Sequence, residues 1–215
     1  MELISIATAR TVALFEMQGA YPRGEVSLYD GIMQMKEKYS FSKVPLSDAD
    51  LDLQKGIDLS FGKVGRINID KLSFFSNGIV VDTRSSTSDS TTVIQDFLEF
   101  VRSSFGATIK PTRWLHLSNI IFRSDGNLSK LHPALEFIAS EVGRSVSQDY
   151  GQLVDFTTAS VAVSADLSKL KLQPASFTFE RRSDTPFSAN VYFSGAPVGT
   201  DKHMQLLTYL ESALK

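Results

Sequence analysis

Cysteine is absent from the 215-residue sequence. Without thiols the chain can form no disulfide, no thiolate metal site and no cysteine nucleophile. This composition is typical of a reducing compartment, so we expect a cytoplasmic protein. No apolar run reaches the roughly 18 residues that a membrane-spanning helix needs, and we therefore predict no membrane association.

Local signatures of catalysis are also missing. The sequence has no G-x-S-x-G nucleophile turn, no two histidines at i and i+4, and no glycine-rich dinucleotide fingerprint after a strand. Asp48, Asp50 and Asp52 alternate as in a calcium loop, but the glycine and the closing glutamate of an EF-hand are not in place. We therefore predict no metal and no cofactor, assign no catalytic residue, and favour a protein that is not an enzyme.

Positive charge is in short supply, with 22 Lys and Arg against 24 Asp and Glu and a formal net charge of −2. Binding to nucleic acid without sequence preference depends on many cationic side chains that displace counterions from the phosphates. We therefore expect no nucleic-acid partner.

Phenylalanine, in contrast, is abundant, with 15 residues against 6 Tyr and 1 Trp. Such apolar aromatic area suits a sheet-rich core. A length of 215 residues allows one large domain or two small ones. Because no linker or internal repeat is visible, we predict a single domain over 1–215. The alternative is two lobes, 1–106 and 107–215.

A strand, turn, strand and helix unit at 66–105 is the clearest pattern in the chain. Asn77-Gly78 between apolar runs predicts a type I′ hairpin turn, which pairs Phe75 with Val80. That register places both of these side chains on one face and leaves a second apolar face for the helix that follows. The side chains on this second face are Leu72, Phe74, Ile79 and Val81. The apolar side chains of this strand also change from odd-numbered to even-numbered positions between Ile69 and Leu72. This change predicts a register break near Asp70-Lys71.

The remaining patterns predict strands at 3–17, 57–61, 114–122, 153–165, 175–180 and 191–193. They also predict helices at 26–39, 129–146 and from 200 onward. Because strands and helices do not alternate strictly, we expect an α+β fold. It should have a largely antiparallel mixed sheet and about four helices packed mainly on one face.

Apolar side chains at the hairpin tip and near the C-terminus suggest a protein contact. Phe75 and Val80 point away from the predicted helix, and Phe187 and Phe193 lie in a second apolar segment at 187–197. Exposed apolar patches commonly mark interaction sites. The first hypothesis is therefore a non-enzymatic assembly subunit of a soluble intracellular complex, with a protein partner or with self-association.

The alternative hypothesis is an enzyme or ligand-binding protein with an anion site. Glu180, Arg181 and Arg182 end a predicted strand. Paired arginines can hold phosphate or carboxylate groups, and Glu180 could act as an acid or base. His116 and Asp82 are the other candidate members. Neighbouring residues on a strand point to opposite faces, so both arginines can line one pocket only if the strand bends.

Overall fold

The computed structural model describes residues 1–16, 27–47, 50–126, 128–131 and 133–214. Within these residues it has eight strands and four α-helices, which confirms the α+β class. The strands are β1 (Glu2–Phe15), β2 (Ile57–Val64), β3 (Ile67–Phe75), β4 (Gly78–Thr83), β5 (Pro111–Arg123), β6 (Ser160–Val163), β7 (Phe177–Arg181) and β8 (Val191–Ala196). The helices are α1 (Leu28–Tyr39), α2 (Thr87–Phe105), α3 (Pro133–Tyr150) and α4 (Thr200–Leu214).

The strand order in the sheet is β2-β3-β4-β1-β5-β8-β7-β6. The pairings β1–β4, β2–β3, β3–β4, β6–β7 and β7–β8 are antiparallel. β1 has a neighbour on each side, β4 and β5. None of the described helices combines the length and the apolar composition needed to cross a membrane. Asp48 and the predicted element ends at Met17 and Val26 lie outside the described residues.

The residues divide into two compact units. The first unit contains Ile6–Asn119 and Pro197–Asp201, and the second contains Met1–Ser5, Ile120–Ala196 and Lys202–Lys215.

The core of the first unit lies between α2 and the β3–β4 hairpin. The helix begins at Ser86, whose hydroxyl accepts the N–H of Asp89, and it ends at Gly106 with φ of 68°. Phe74 and Phe97 meet with ring centroids 5.5 Å apart. The predicted packing of this helix on the hairpin is therefore confirmed. The buried side chains at the contact are Leu72, Phe74, Ile79, Val81, Val93, Ile94 and Phe97.

The predicted hairpin register is wrong by two residues. The structure pairs Phe75 with Gly78 and Phe74 with Ile79, so the loop is Ser76-Asn77. Neither Asn77 nor Gly78 has the positive φ of a type I′ turn. Gly78 instead permits close approach to β1, since an added Cβ would lie 3.2 Å from the carbonyl oxygen of Ala13. A shift of two preserves the faces, so the predicted grouping of side chains holds.

The predicted register break near Asp70-Lys71 is not present in the pairing of β3 with β2. Pairing between β2 and β3 keeps one register on both sides of this point, from Ser60↔Lys71 to Gly62↔Ile69. Phe61 on β2 has φ of 58°, in the left-handed region. Ile69 and Leu72 both enter the core of the first unit without an inserted residue in either strand.

The core of the second unit forms around β5, β7, β8 and α4. Phe122 lies near both Phe179 and Tyr192, with ring centroids 5.5 and 5.8 Å away. Leu207 and Leu214 of α4 complete the cluster. The helix predicted from residue 200 onward is therefore confirmed.

Candidate functional site

Arg181 lies at the end of β7 between two aromatic rings. Its guanidinium carbon is 5.1 Å from the ring centroid of Phe187 and 5.0 Å from that of Tyr192. One terminal nitrogen donates to the carbonyl oxygen of Phe187 at 3.0 Å and to Oδ1 of Asn190 at 3.3 Å. Arginine stacks well on aromatic faces, so this side chain fixes the 187–192 segment against the strand.

Arg182 and Glu180 have different surroundings from Arg181. Arg182 binds both carboxylate oxygens of Asp184 through Nε and Nη2, and its Nε is 2.7 Å from Oδ1. This hydrogen bonding raises the pKa of Arg182 and lowers that of Asp184. Glu180 is exposed and lies opposite Ser160 and Phe193 in the sheet. The two arginines therefore have separate acceptors within the chain.

The predicted contact residues of the hairpin tip are half-buried. The Phe75 ring covers Gly56, because a Cβ added at Gly56 would lie 2.3 Å from the ring. Val80 lies opposite Ser73 on β3 and opposite Val12 on β1. Both side chains therefore make contacts inside the first unit.

The predicted contacts near the C-terminus differ from each other. Phe187 is 46% exposed, although one face of its ring contacts Arg181. Phe193 is half-buried on β8. Phe187 is thus the exposed member of the four predicted contact residues.

His116 and Asp82 are each held by specific partners in the first unit. Asp82 accepts two hydrogen bonds from Arg10, at 2.6 and 2.8 Å. Nδ1 of His116 is 3.2 Å from Oγ1 of Thr11, whose hydroxyl donates to the carbonyl oxygen of Thr87 at 3.0 Å. The single proton of Thr11 is thereby used, so Nδ1 of His116 is the donor between them. Burial lowers the pKa of His116, which favours this neutral imidazole.

Ser194 and His203 form a pair that the sequence did not reveal. Oγ of Ser194 is 2.9 Å from Nε2 of His203, the spacing of a nucleophile and its base. Both side chains are 0% exposed, and Ser194 donates its proton to the carbonyl oxygen of Thr178. Nε2 must then donate to Oγ, which is the reverse of general-base catalysis. The pair joins α4 to β8 and has no access for a substrate.

The first turns of α2 and α4 provide hydrogen-bond acceptors for each other's backbone N–H groups. The N–H of Thr87 donates to Oγ1 of Thr200 at 3.0 Å, and the N–H of Thr200 donates to Oγ1 of Thr87 at 2.9 Å. The start of a helix offers its free N–H groups to anions. Here these two donors are used internally, in a buried position.

Large apolar side chains are concentrated on the surface of the second unit between residues 135 and 172. Of 21 exposed large apolar residues in the described part of the chain, 11 lie in this stretch. Those on α3 are Leu135 (41%), Phe137 (66%), Ile138 (54%) and Val142 (38%). Leu135, Ile138 and Val142 recur at helical spacing in the sequence, which indicates an apolar face on this helix. Periodicity reports which face of a helix is apolar, and the covering group can equally be another molecule.

α3 uses a different face for contacts within the chain. Gly143 allows residues 151–158 to approach, since an added Cβ would lie 3.0 Å from the carbonyl oxygen of Val154. Oγ of Ser147 accepts the N–H of Val154 at 2.8 Å and donates to the carbonyl oxygen of Gly143 at 2.6 Å. This packing explains why only Ser160–Val163 of the predicted 153–165 strand joins the sheet.

A groove of about 920 Å³ lies between α3 and this segment. Its lining is mainly small and polar and includes Ser140, Arg144, Gln148 and Thr157. Arg144 forms a salt bridge with Glu141, with 2.9 Å between Nη1 and Oε2. Among the described residues, no three His, Asp or Glu side chains are grouped so that they could hold a metal ion. The groove therefore presents hydrogen-bonding groups.

Models of known protein families and the sequences of curated proteins give no match to this chain.

Proposed function

We propose that this protein is a non-enzymatic assembly subunit, and that the apolar stripe of α3 binds a protein partner. The stripe is defined here as Leu135, Ile138 and Val142. The observation that carries the proposal is that these three side chains are exposed on a helix whose small-residue face is already used within the chain.

The geometry of a helix separates the two faces. At about 100° per residue, Leu135, Ile138 and Val142 fall within about 60° of each other. Ser140, Gly143 and Ser147 fall on a neighbouring face, the one that meets residues 151–158. Because only 38 to 54% of each side chain is exposed, burial in a complex would contribute roughly half of the 1.5 to 3 kcal/mol that a fully exposed side chain gives, before the cost of association is subtracted.

The charges of α3 favour a particular kind of partner. The helix carries Glu136, Glu141 and Asp149 against Arg144, so its surface is acidic overall. An apolar surface bordered by lysine or arginine would complement it. The anion site at Arg181 and Arg182 has weaker support, because Arg182 is paired with Asp184 and one terminal nitrogen of Arg181 already has acceptors within the chain.

A test of this proposal uses the protein at its natural abundance in its own cells. The tagged chain is purified and its complexes are weighed by native mass spectrometry, for the wild type, Ile138→Asp and Phe137→Asp. Phe137 is exposed on the same helix but about 100° from Ile138, so Phe137→Asp controls for an added charge.

We expect a stoichiometric complex for the wild type and for Phe137→Asp, with loss of the partner in Ile138→Asp. A wild-type protein without any partner, or a complex that survives Ile138→Asp, would overturn the proposal. Circular dichroism of the purified variants checks that each is folded.

A further inference from the structure

The two edges of the sheet are formed by β2 and β6, and only one of them is protected. At the β2 edge, Lys43 exchanges two backbone hydrogen bonds with Ser60, at 3.2 and 2.9 Å. The N–H of Ser42 donates to the carbonyl oxygen of Phe61, whose left-handed conformation bends the strand. Covered, twisted edges of this kind resist pairing with another chain.

The β6 edge has none of these protections within the described residues. From residue 156 to residue 165 the sequence carries no charge and no proline. Lysine, proline and bulges are the usual features that keep an edge strand from pairing. Ser160, Ala162 and Val163 are all exposed. An edge of this composition can accept another strand.

The pairing with β7 determines which backbone groups point outward. The N–H of Arg181 donates to the carbonyl oxygen of Ala159 at 2.8 Å. The backbone N–H and C=O groups of residue 159 therefore point toward β7. In an antiparallel ladder such residues alternate, and Val161 and Val163 therefore also bond toward β7. The N–H and C=O groups of Ser160 and Ala162 then point to the open edge.

We infer that β6 pairs with β6 of a second copy of this chain, antiparallel about a twofold axis at Val161. This inference rests on the proposal that the protein is an assembly subunit, and it adds a second surface and a defined partner. The axis places Ser160 opposite Ala162 of the second copy, and the two outward pairs form four backbone hydrogen bonds. Extended segments add to open sheet edges in the same way in other complexes.

The absence of charge selects a second copy over a different chain. About a twofold axis at Val161 only residue 161 meets its own kind directly, but a charge at residue 160 or 162 would lie diagonally across from the same charge on the second copy, about 7 to 8 Å away. The neutral stretch avoids this repulsion. A different protein partner would impose no such condition on the edge.

Two double variants test the pairing in purified full-length protein by sedimentation velocity. Ser160→Lys/Ala162→Lys places lysine opposite lysine across the axis. Ser160→Lys/Ala162→Glu places lysine opposite glutamate at the same positions. Both sites are exposed, so neither variant removes a core contact. We expect a dimer for the wild type, a monomer for the Lys/Lys variant and a dimer again for the Lys/Glu variant.

Three outcomes overturn the inference: a wild type that is monomeric at all concentrations, a Lys/Lys variant that still dimerises, or a Lys/Glu variant that does not. A monomeric wild type would leave the α3 contact to be decided by native mass spectrometry of the cellular complex. The failure of one proposal is thus distinguishable from the failure of the other.

Disulfide cross-linking tests the same pairing without introducing charged residues. Because the chain has no natural cysteine, the introduced cysteines are the only thiols. Val161→Cys places two thiols opposite each other at a Cα separation of about 4.5 Å, within disulfide range. Val163→Cys is the control, because residue 163 pairs with residue 159 of the second copy and lies about 13 Å from its own counterpart. We expect oxidation to cross-link Val161→Cys faster than Val163→Cys, although Val163 is 63% exposed. Equal rates, or a faster Val163→Cys, would contradict the twofold register.

Discussion

The contact between Gly56 and Phe75 allows a test of whether Phe75 works inside the chain. Gly56 has φ of 90°, and an added Cβ would lie 2.3, 2.6 and 2.8 Å from three atoms of the Phe75 ring. Alanine at this position therefore meets two separate costs. The backbone conformation costs about 1 to 2 kcal/mol for a residue with a Cβ. Displacement of the ring costs about 1 to 3 kcal/mol more.

A double-mutant cycle separates these two costs. We expect Gly56→Ala to lower the free energy of unfolding by about 2 to 5 kcal/mol, the sum of both terms. In a Phe75→Ala background the ring is gone, so only the backbone cost of about 1 to 2 kcal/mol should remain. The two substitutions should therefore be strongly coupled, with the double variant more stable than the sum of the single effects.

Urea denaturation followed by circular dichroism measures all four stabilities. The slope of unfolding free energy against urea should stay constant, which shows that only stability has changed. Additive effects within about 0.5 kcal/mol would refute the packing described for Phe75. In that event the side chain would be free for an external contact, as the hairpin hypothesis supposed.

Further predictions concern other parts of the first unit. Phe97→Ala should lower the free energy of unfolding by about 3 to 5 kcal/mol in urea titrations, because the ring is 1% exposed against Phe74; a cost below about 1 kcal/mol would contradict this core. Ser86→Ala should cost about 1 kcal/mol through loss of the α2 cap, whereas Ser88→Ala, at an exposed helical position, should cost much less.

His116 supplies a prediction of pH dependence. Burial lowers its folded pKa below the unfolded value of about 6.5. The unfolded chain therefore binds the proton first, and the stability contributed by the neutral ring is full above about pH 6.5 and decreases as the pH falls below it. His116→Gln should remove this part of the pH dependence between about pH 7.5 and 5.5. A difference between wild type and variant that does not change over this range would contradict the neutral assignment.

Elements with both a regular apolar period and explicit end signals were predictable from the sequence. The α2 helix has its cap at Ser86, its stripe through Val93 and Phe97, and its end at Gly106. Each of these features acts within a few residues of chain. The hairpin faces were correct for a related reason, since a shift of two preserves strand parity.

Features that depend on distant residues were not predictable. The turn was assigned from the preference of Asn-Gly for positive φ, but Gly78 is required by the close approach of β1, which lies more than 60 residues earlier. Ser194 and His203 meet across a strand and a helix and share no motif.

The apolar stripe of α3 shows most clearly what the sequence alone does not predict. The period of Leu135, Ile138 and Val142 predicted an apolar face on α3, and that face exists. Whether it meets the same chain or another molecule depends on Gly143 and Ser147, which bring residues 151–158 onto a different side of the helix. This contact between α3 and residues 151–158 is tertiary, and the apolar period of the helix does not reveal it.

Native mass spectrometry of the protein purified from its own cells tests the central claim most directly. The account predicts a stoichiometric complex with a protein partner for the wild type and for Phe137→Asp, and loss of that partner in a folded Ile138→Asp variant. A wild-type protein that carries no partner, or a folded Ile138→Asp variant that keeps its partner, would contradict it.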